Sequence, residues 1–322
     1  MSAINSCHNC QQFNQHFSLM FKLVAETLMI PYTLNQKTIK HPKINKILMK
    51  METDYIAQEV INRMELALDY DGTFRTMKIV PRLWHWLFFL PRFKASETGS
   101  DGHQKTGGFI PKVEGHDRRM WAGSRLWFYD ELYSSRYAKK ESKIVNLTEK
   151  DGRSGKLMFI LVRHEYYQDN RHILSEEQDI VYKPPPESDF TVADVNSRLS
   201  PPHHTAQWSE TIEPNPIMLF KYSALTYNSH RIHYDREYCR NIFGFPGLVV
   251  QGPLIATLLI ELIRKKIPGA KVLEYSFQIK APIFDFQKFK IEGFHKNDFV
   301  YLWAINDSGL ETFSALARIT SF

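Results

Sequence analysis

Cysteine is scarce, with three residues in 322, so no disulfide framework holds this chain together, and a reducing compartment fits. Cys7 and Cys10 form a CxxC, but no second pair follows, and zinc or redox work needs more than one pair to stand on. Cys239 reads as a small packing residue rather than a nucleophile. Long apolar runs are also missing. Leu83–Leu90 is the densest block and is too short to span a bilayer, so no membrane anchoring is expected. The first 50 residues contain no arginine and one acid, Glu26, against six lysines. They lack the apolar region and cleavage site of a secretory signal, and the absence of arginine argues against a mitochondrial leader. Residues 1–50 therefore read as a basic leader, either disordered or an extension upstream of a start at Met49 or Met51.

The remaining residues carry 35 basic and 34 acidic side chains, a nearly neutral body without the footprint of nucleic-acid binding. Hydrophobic residues at 43% and charged residues at 24% are ordinary for a soluble globular protein, and 322 residues make one large or two medium domains. A helix is expected at Thr53–Leu68 from its apolar spacing. LWHWLFFLP at Leu83–Pro91 reads as core, and Gly99–Gly108 as a loop. Strand patterns follow at Met120–Tyr129, Lys143–Thr148, Lys156–Tyr166 and Glu177–Tyr182, with a turn at Lys150–Gly155. KPPPESD at Lys183–Asp189 cannot continue a strand. The divisions expected are an N-terminal domain over 51–185, a linker over 186–205 and a C-terminal domain over 206–322.

The second half has a clearer centre. A strand at Ala206–Ile212 and a short helix at Pro216–Thr226 precede a helix at Pro253–Ile267, whose amino half is apolar on most faces. Gly252 and Pro253 open that helix, and Arg264, Lys265 and Lys266 close it. Strands are expected at Val272–Ile279, Phe286–Phe294, Phe299–Asn306 and Glu311–Ile319. A sheet wrapped around one buried helix accounts for this order. The first half repeats the strands without an equally clear helix, which suggests two related α+β units with the second better preserved.

Between the two helices of the second half lies YSALTYNSHRIHYD, Tyr222–Asp235, which packs Asn228, His230, His233 and Asp235 into eight positions. PGLVVQGPL, Pro246–Leu254, follows and leads into the apolar helix. Imidazoles carry protons near neutral pH, and a helix amino end offers backbone N–H groups to developing negative charge. A metal is the competing reading of His230, His233 and Asp235, but H-x-x-H on an irregular segment lacks the helical spacing of zinc proteases.

YSALTYNSHRIHYD and GFPGLVVQGPLIATLL resemble the MaoC-like hydratase/dehydratase family of hot-dog folds. LWHWLFFLP, DGHQKTGGFIP, RRMWAGSRL and KDGRSGKLMFILVRHE resemble the first domain of its double hot-dog branch, which includes mesaconyl-C4-CoA hydratases and fungal mitochondrial type 2 3-hydroxyacyl-thioester dehydratases. The resemblance spans roughly residues 80–320 and implies an α+β double hot-dog, with two antiparallel sheets each wrapped on a helix. It implies a hydro-lyase that adds or removes water across the Cα–Cβ bond of a coenzyme A or acyl-carrier thioester, without metal or redox cofactor. A homodimer is compatible with it, as is a cytoplasmic location, or a mitochondrial one in a fungus. A non-catalytic acyl-CoA-binding hot-dog protein is the alternative.

Carried over residue by residue, the resemblance makes His233 the catalytic histidine. The wider family has an acid five positions earlier, where this chain has Asn228. His233 would serve as general base for water, Asn228 would orient that water, and the Gly252 N–H would stabilise charge on the thioester oxygen. Asp235 would polarise a histidine or cap the next helix. His230 and Gln251 are candidate substrate contacts, His230 alternatively satisfying a buried polar site. Gln251 stands where many relatives have histidine. Arg231 would pair with a substrate carboxylate or with a nearby acid. Arg264, Lys265 and Lys266 would meet coenzyme A phosphates or simply end their helix in solvent.

Overall fold

The computed structural model describes residues 49–70, 78–105, 109–110, 118–152, 155–183 and 191–320. The CxxC, nearly all of the basic leader and residues 184–190 of the proline-rich stretch lie outside them.

The chain runs β1 (Met49–Tyr55), α1 (Gln58–Ala67), a 3-10 turn (Trp84–Leu87), β2 (Arg118–Phe128), β3 (Tyr137–Gly152), β4 (Gly155–Gln168) and β5 (Arg171–Lys183). It continues with α2 (Val192–Asn196), β6 (Trp208–Ile212), α3 (Pro216–Leu225), α4 (Arg236–Phe243), α5 (Gly252–Lys266), β7 (Val272–Ile279), β8 (Phe289–Lys296), β9 (Phe299–Ile305) and β10 (Glu311–Ile319). All ten strands join one sheet in the order β1-β3-β4-β5-β2-β7-β10-β9-β8-β6. Every neighbouring pair is antiparallel.

That order contains its own repeat. Within the first five strands the arrangement is first, third, fourth, fifth, second; the last five, read from the far edge as β6-β8-β9-β10-β7, give the same arrangement. The two halves meet where each contributes its second strand, β2 against β7, with Ser124 opposite Phe277 and Leu126 opposite Tyr275. This is the α+β double hot-dog.

In the second half the sheet curves around α5, which packs on β8, β9 and β10. Leu254 through Ile263 are all buried, as an apolar helix enclosed by a sheet requires. Pro253 sits in the first turn, where its missing N–H is no loss. In the first half α1 is shorter, and Leu83, Trp84, Leu87, Phe88 and Phe89 of the aromatic block are buried in the core. His85 and Trp86 reach the buried Glu176 of β5 at 3.3 and 3.0 Å, and Phe89 packs edge-on against Tyr166 of β4.

Several expected bounds differ in the structure; β3 and β5, for instance, each begin six residues earlier than expected, at Tyr137 and Arg171. The leader cannot extend to residue 50, because Met49 and Lys50 pair with Lys143 and Ser142 in β1. The helix expected from Thr53 starts at Gln58, since Thr53–Tyr55 belong to that edge strand. β1 does alternate, with Met49, Met51 and Tyr55 on one side and Lys50, Glu52 and Asp54 on the other, but its apolar side is exposed rather than turned to a core, and Glu52 bridges to Lys50 and Lys140. The 186–205 linker contains α2, whose first turn is closed by a reciprocal Thr191–Asp194 capping box. Finally, β8 begins at Phe289 rather than Phe286, because Gln287 accepts from the Phe284 N–H and closes the preceding turn.

Candidate active site

The polar cluster sits on a short irregular bridge between α3 and α4. After α3 the chain turns sharply, with Tyr227 at φ +50°. Asn228 then closes a side-chain turn, its Oδ1 accepting from the His230 N–H at 3.1 Å. A single 3-10 turn, Arg231–His233, carries the second imidazole inward.

His233 is clamped to the segment that leads into α5. The Val249 N–H donates to the Ile232 carbonyl at 2.9 Å, and His233 Nδ1 lies 2.8 Å from the Val249 carbonyl oxygen. A carbonyl only accepts, so Nδ1 carries the proton and Nε2 keeps its lone pair. Burial pushes the His233 pKa down to about 4, against the effect of that hydrogen bond. The ring is therefore neutral near pH 7 and able to accept a proton at Nε2. Val249 is three residues from Gly252, so the carbonyl that orients His233 and the start of α5 are within about 11 Å along the chain.

Gly252 is the first residue of α5, and its N–H has no hydrogen-bond partner among the described residues. A Cβ at this position would come within 2.2 Å of Ile279 Cδ1, so a larger residue would have to push aside the end of that β7 side chain. An unpaired N–H at a helix amino end is suited to negative charge.

Two further groups, Asp101 and His103, come from the first half, on the segment expected as the Gly99–Gly108 loop and not singled out by its local sequence. His103 lies beside His230 with ring centroids 4.5 Å apart, and His230 lies 5.6 Å from His233. His103 Nδ1 is 3.0 Å from Asp101 Oδ2, and the His103 backbone N–H donates to Asp101 Oδ1 at 2.9 Å. Burial works against the Asp101 charge, but the bonded His103 ring holds that carboxyl well below the usual range. The loop is docked onto the polar bridge by three bonds. Arg231 N–H donates to the Asp101 carbonyl at 2.9 Å, Arg231 Nη1 to the Ser100 carbonyl at 2.9 Å, and Ser229 Oγ to the Gly102 carbonyl at 2.5 Å. Burial first, and then the neighbouring His103 and His233, push the His230 pKa well below its ordinary value.

The family model for hydroxyacyl-thioester dehydratase type 2 matches residues 83–285. The chain belongs to this family. It is 42% identical over 242 residues to the mesaconyl-C(4)-CoA hydratase of Chloroflexus aurantiacus, covering 74% of this chain and 84% of that protein. It is 24% identical over 277 residues to the mitochondrial hydroxyacyl-thioester dehydratase type 2 of Schizosaccharomyces pombe, covering 76% and 89%. In fold it is similar to the crystal structure of a MaoC-like dehydratase from Phytophthora capsici. That match has a TM-score of 0.65 at 12% identity and covers 86% of this chain and 98% of the other.

The remaining residues singled out in this family member have other partners. Asp235 caps α4 through the Tyr238 N–H at 2.9 Å and bonds Arg231 Nη2 at 2.7 Å. The backbone bond from Tyr238 and the Arg231 guanidinium lower its pKa. Arg231 also lies over the Tyr238 ring at 4.2 Å, so its charge is directed at Asp235 and Tyr238. The fully buried Gln251 turns its Nε2 to the Leu219 carbonyl and Ser223 Oγ on α3, both at 2.9 Å, tying the start of α5 to α3. Lys265 and Lys266 bridge to Glu210, and Arg264 to Glu261. Burial raises the Cys239 thiol to about 12, which suppresses the thiolate. Among the described residues no group of three or more His, Cys, Asp and Glu side chains is arranged to hold a metal ion.

Proposed function

We propose that the chain is a hydro-lyase that adds or removes water across the Cα–Cβ bond of an acyl thioester, borne by coenzyme A or an acyl-carrier protein. The observation that carries this reading is the buried His233, held with Nε2 free by the carbonyl of Val249, on the segment that delivers the unpaired Gly252 N–H. In hydration, water gives its proton to His233 Nε2 as its oxygen bonds Cβ, and the displaced π electrons collect on the thioester oxygen. The Gly252 N–H and the amino end of α5 stabilise that charge; loss of one such donor typically costs about 10²–10³ in rate. Asn228 has its Oδ1 in the bridge turn and leaves its amide N–H groups to orient water. No step needs a metal or redox cofactor.

The similarity to a mesaconyl-C(4)-CoA hydratase makes a methyl-branched five-carbon dicarboxylic acyl group the first to test. The assay is a panel of enoyl thioesters followed by the ultraviolet absorbance of the conjugated thioester, which hydration abolishes. Turnover is expected for the wild type, and His233→Ala should lower kcat by at least about 10²-fold. Undiminished turnover in His233→Ala overturns the mechanism. Binding of acyl thioesters without turnover on any of them favours a non-catalytic binding protein, which the absence of a carboxylate at residue 228 would then explain.

A further inference from the structure

Water addition needs two proton movements, one from water and one to Cα. Asn228 cannot carry a proton, and His233 is already assigned to water. Asp235 is directed at Arg231 and the α4 cap. The described residues that complete the site are on the other half of the chain.

We propose that His103, backed by Asp101, is the second proton carrier of this active site, donating from Nε2 to Cα in hydration. The proposal rests on the hydro-lyase reading and deepens it. Four observations carry it. Asp101 Oδ2 is bonded to His103 Nδ1, which leaves Nε2 as the nitrogen that can work. The His103 ring packs against His230, which in turn meets His233. The loop is fastened to the catalytic bridge by the Ser229, Arg231 backbone and Arg231 side-chain bonds, and so cannot be placed independently of it. Lastly, of the three imidazoles only His103 has a carboxylate bonded to its ring, which opposes the effect of burial on its charged form.

The step balances with one proton in the cluster. His233 Nε2 takes a proton from water while the water oxygen bonds Cβ. The π pair moves toward Cα and the thioester oxygen, and Cα takes the proton from His103 Nε2. The protein then holds the same number of protons, and one returns from His233 to His103 to reset the site. Dehydration runs the same transfers backward. Asp101 acts through His103 and is a positioning residue. The charged and titratable groups around His103 are Asp101, Arg119, His230 and His233, with Tyr182 of β5 near Asp101 and Arg119. Burial lowers the His103 pKa and Asp101 opposes that fall, whereas His233 falls to about 4. With both imidazoles lowered, a base that must be neutral and an acid that must be charged give a bell-shaped rate profile on the acidic side of neutrality.

The test is steady-state hydration of the best enoyl-coenzyme A substrate by wild type, His103→Ala, Asp101→Asn and His233→Ala across about pH 4.5–8. His103→Ala is expected to lose about 10²-fold or more in kcat, with KM changed by less than about threefold and partial rescue by added imidazole. Asp101→Asn is expected to lose roughly 10-fold at neutral pH and to move the basic limb to lower pH. It keeps the size of the side chain, so it decides the matter if His103→Ala fails to fold. A folded His103→Ala within about threefold of wild-type kcat overturns the proposal, as does an unchanged basic limb in Asp101→Asn. If those variants stay active while His233→Ala is dead, only the role of His103 falls. A wild type inactive on every enoyl thioester removes the hydro-lyase reading and this role together.

Discussion

Gly102 and Ser229 are in backbone contact across the two halves of the chain: a Cβ on Gly102 would stand 1.7 Å from the Ser229 carbonyl oxygen. Gly102 also has φ +95°, which side chains other than hydrogen rarely allow. The contact is with the backbone that carries the catalytic imidazoles, so neither partner can rotate away. It sets the distance at which Asp101 and His103 approach His230.

Gly102→Ala should therefore injure the site more than the fold. The strained conformation alone costs on the order of 1–3 kcal/mol, and the clash displaces the loop as well. The loop is partly exposed and lies apart from the main core, so displacing it in the variant should limit the loss of stability to a few kcal/mol. We expect a soluble, folded protein with kcat reduced at least about 10-fold. Circular dichroism melts and enoyl-thioester turnover on the same sample measure both. Wild-type turnover in Gly102→Ala would mean that the loop takes no part in catalysis.

Acid should destabilise the protein well above the ordinary carboxylate range. Burial lowers both His164 and His233 to about 4, and each ring is neutral in its hydrogen bond, His164 to Ser142 Oγ at 2.7 Å. Unfolding returns them to about 6.5, so the unfolded chain binds more protons between about pH 6.5 and 4, and stability falls as pH falls through that window. Each ring accounts for about 3 kcal/mol once the window is crossed. His230 shifts in the same direction. The buried Glu176 acts lower down, because its bonded partners hold it below the usual carboxylate range and its contribution disappears only as pH falls past that range. Urea unfolding at about pH 7, 6 and 5 reads the slope, and a stability that stays flat over that range contradicts it.

Much of this architecture was legible in the sequence because burial leaves a periodic mark. β7 and β10 have the bounds their apolar patterns predict, and α5 begins one residue early, at the glycine that precedes its proline. The edge strand β1 was harder to read: Met49, Met51 and Tyr55 alternate with charged residues, but the pattern is only seven residues long and runs from the lysine-rich leader into the helical spacing that begins at Thr53. Within the site, His233 and Gly252 stand out by local motif, whereas His103 does not. Its loop meets the bridge through Gly102 and Ser229, which are 127 positions apart. No short window contains both sides of such a contact. Asp235 shows the reverse limit: its spacing from His233 suits catalysis, and the bond from the Tyr238 N–H reveals a helix cap.

Asp235 separates those two roles experimentally. Asp235→Asn keeps an acceptor for the Tyr238 N–H and should retain most of the stability and kcat. Asp235→Ala loses the cap, at a cost of about 1 kcal/mol, and releases Arg231. The loss should appear mainly as a lower melting temperature, with kcat within roughly fivefold of wild type. A fall of about 10²-fold in kcat for Asp235→Asn at unchanged melting temperature would instead give this carboxylate a place in the proton transfers.

Arg119 offers a test of the acyl group. Its charge acts on both His103 and His230, which places a cation beside the imidazole cluster, whereas Arg231 is paired with Asp235. A free carboxylate on the far end of a short acyl chain is the substrate group that such a cation would recognise. Arg119→Gln should then raise KM for a short dicarboxylic enoyl thioester by about 10-fold or more and leave KM for the matching monocarboxylic thioester within about twofold. The same substitution removes a like charge from His103 and His230, so the basic limb of the rate profile should move to higher pH. Equal effects on both substrates would assign Arg119 to the proton balance of the cluster alone, and would leave the acyl carboxylate, if the preferred substrate has one, to be held from another side of the site.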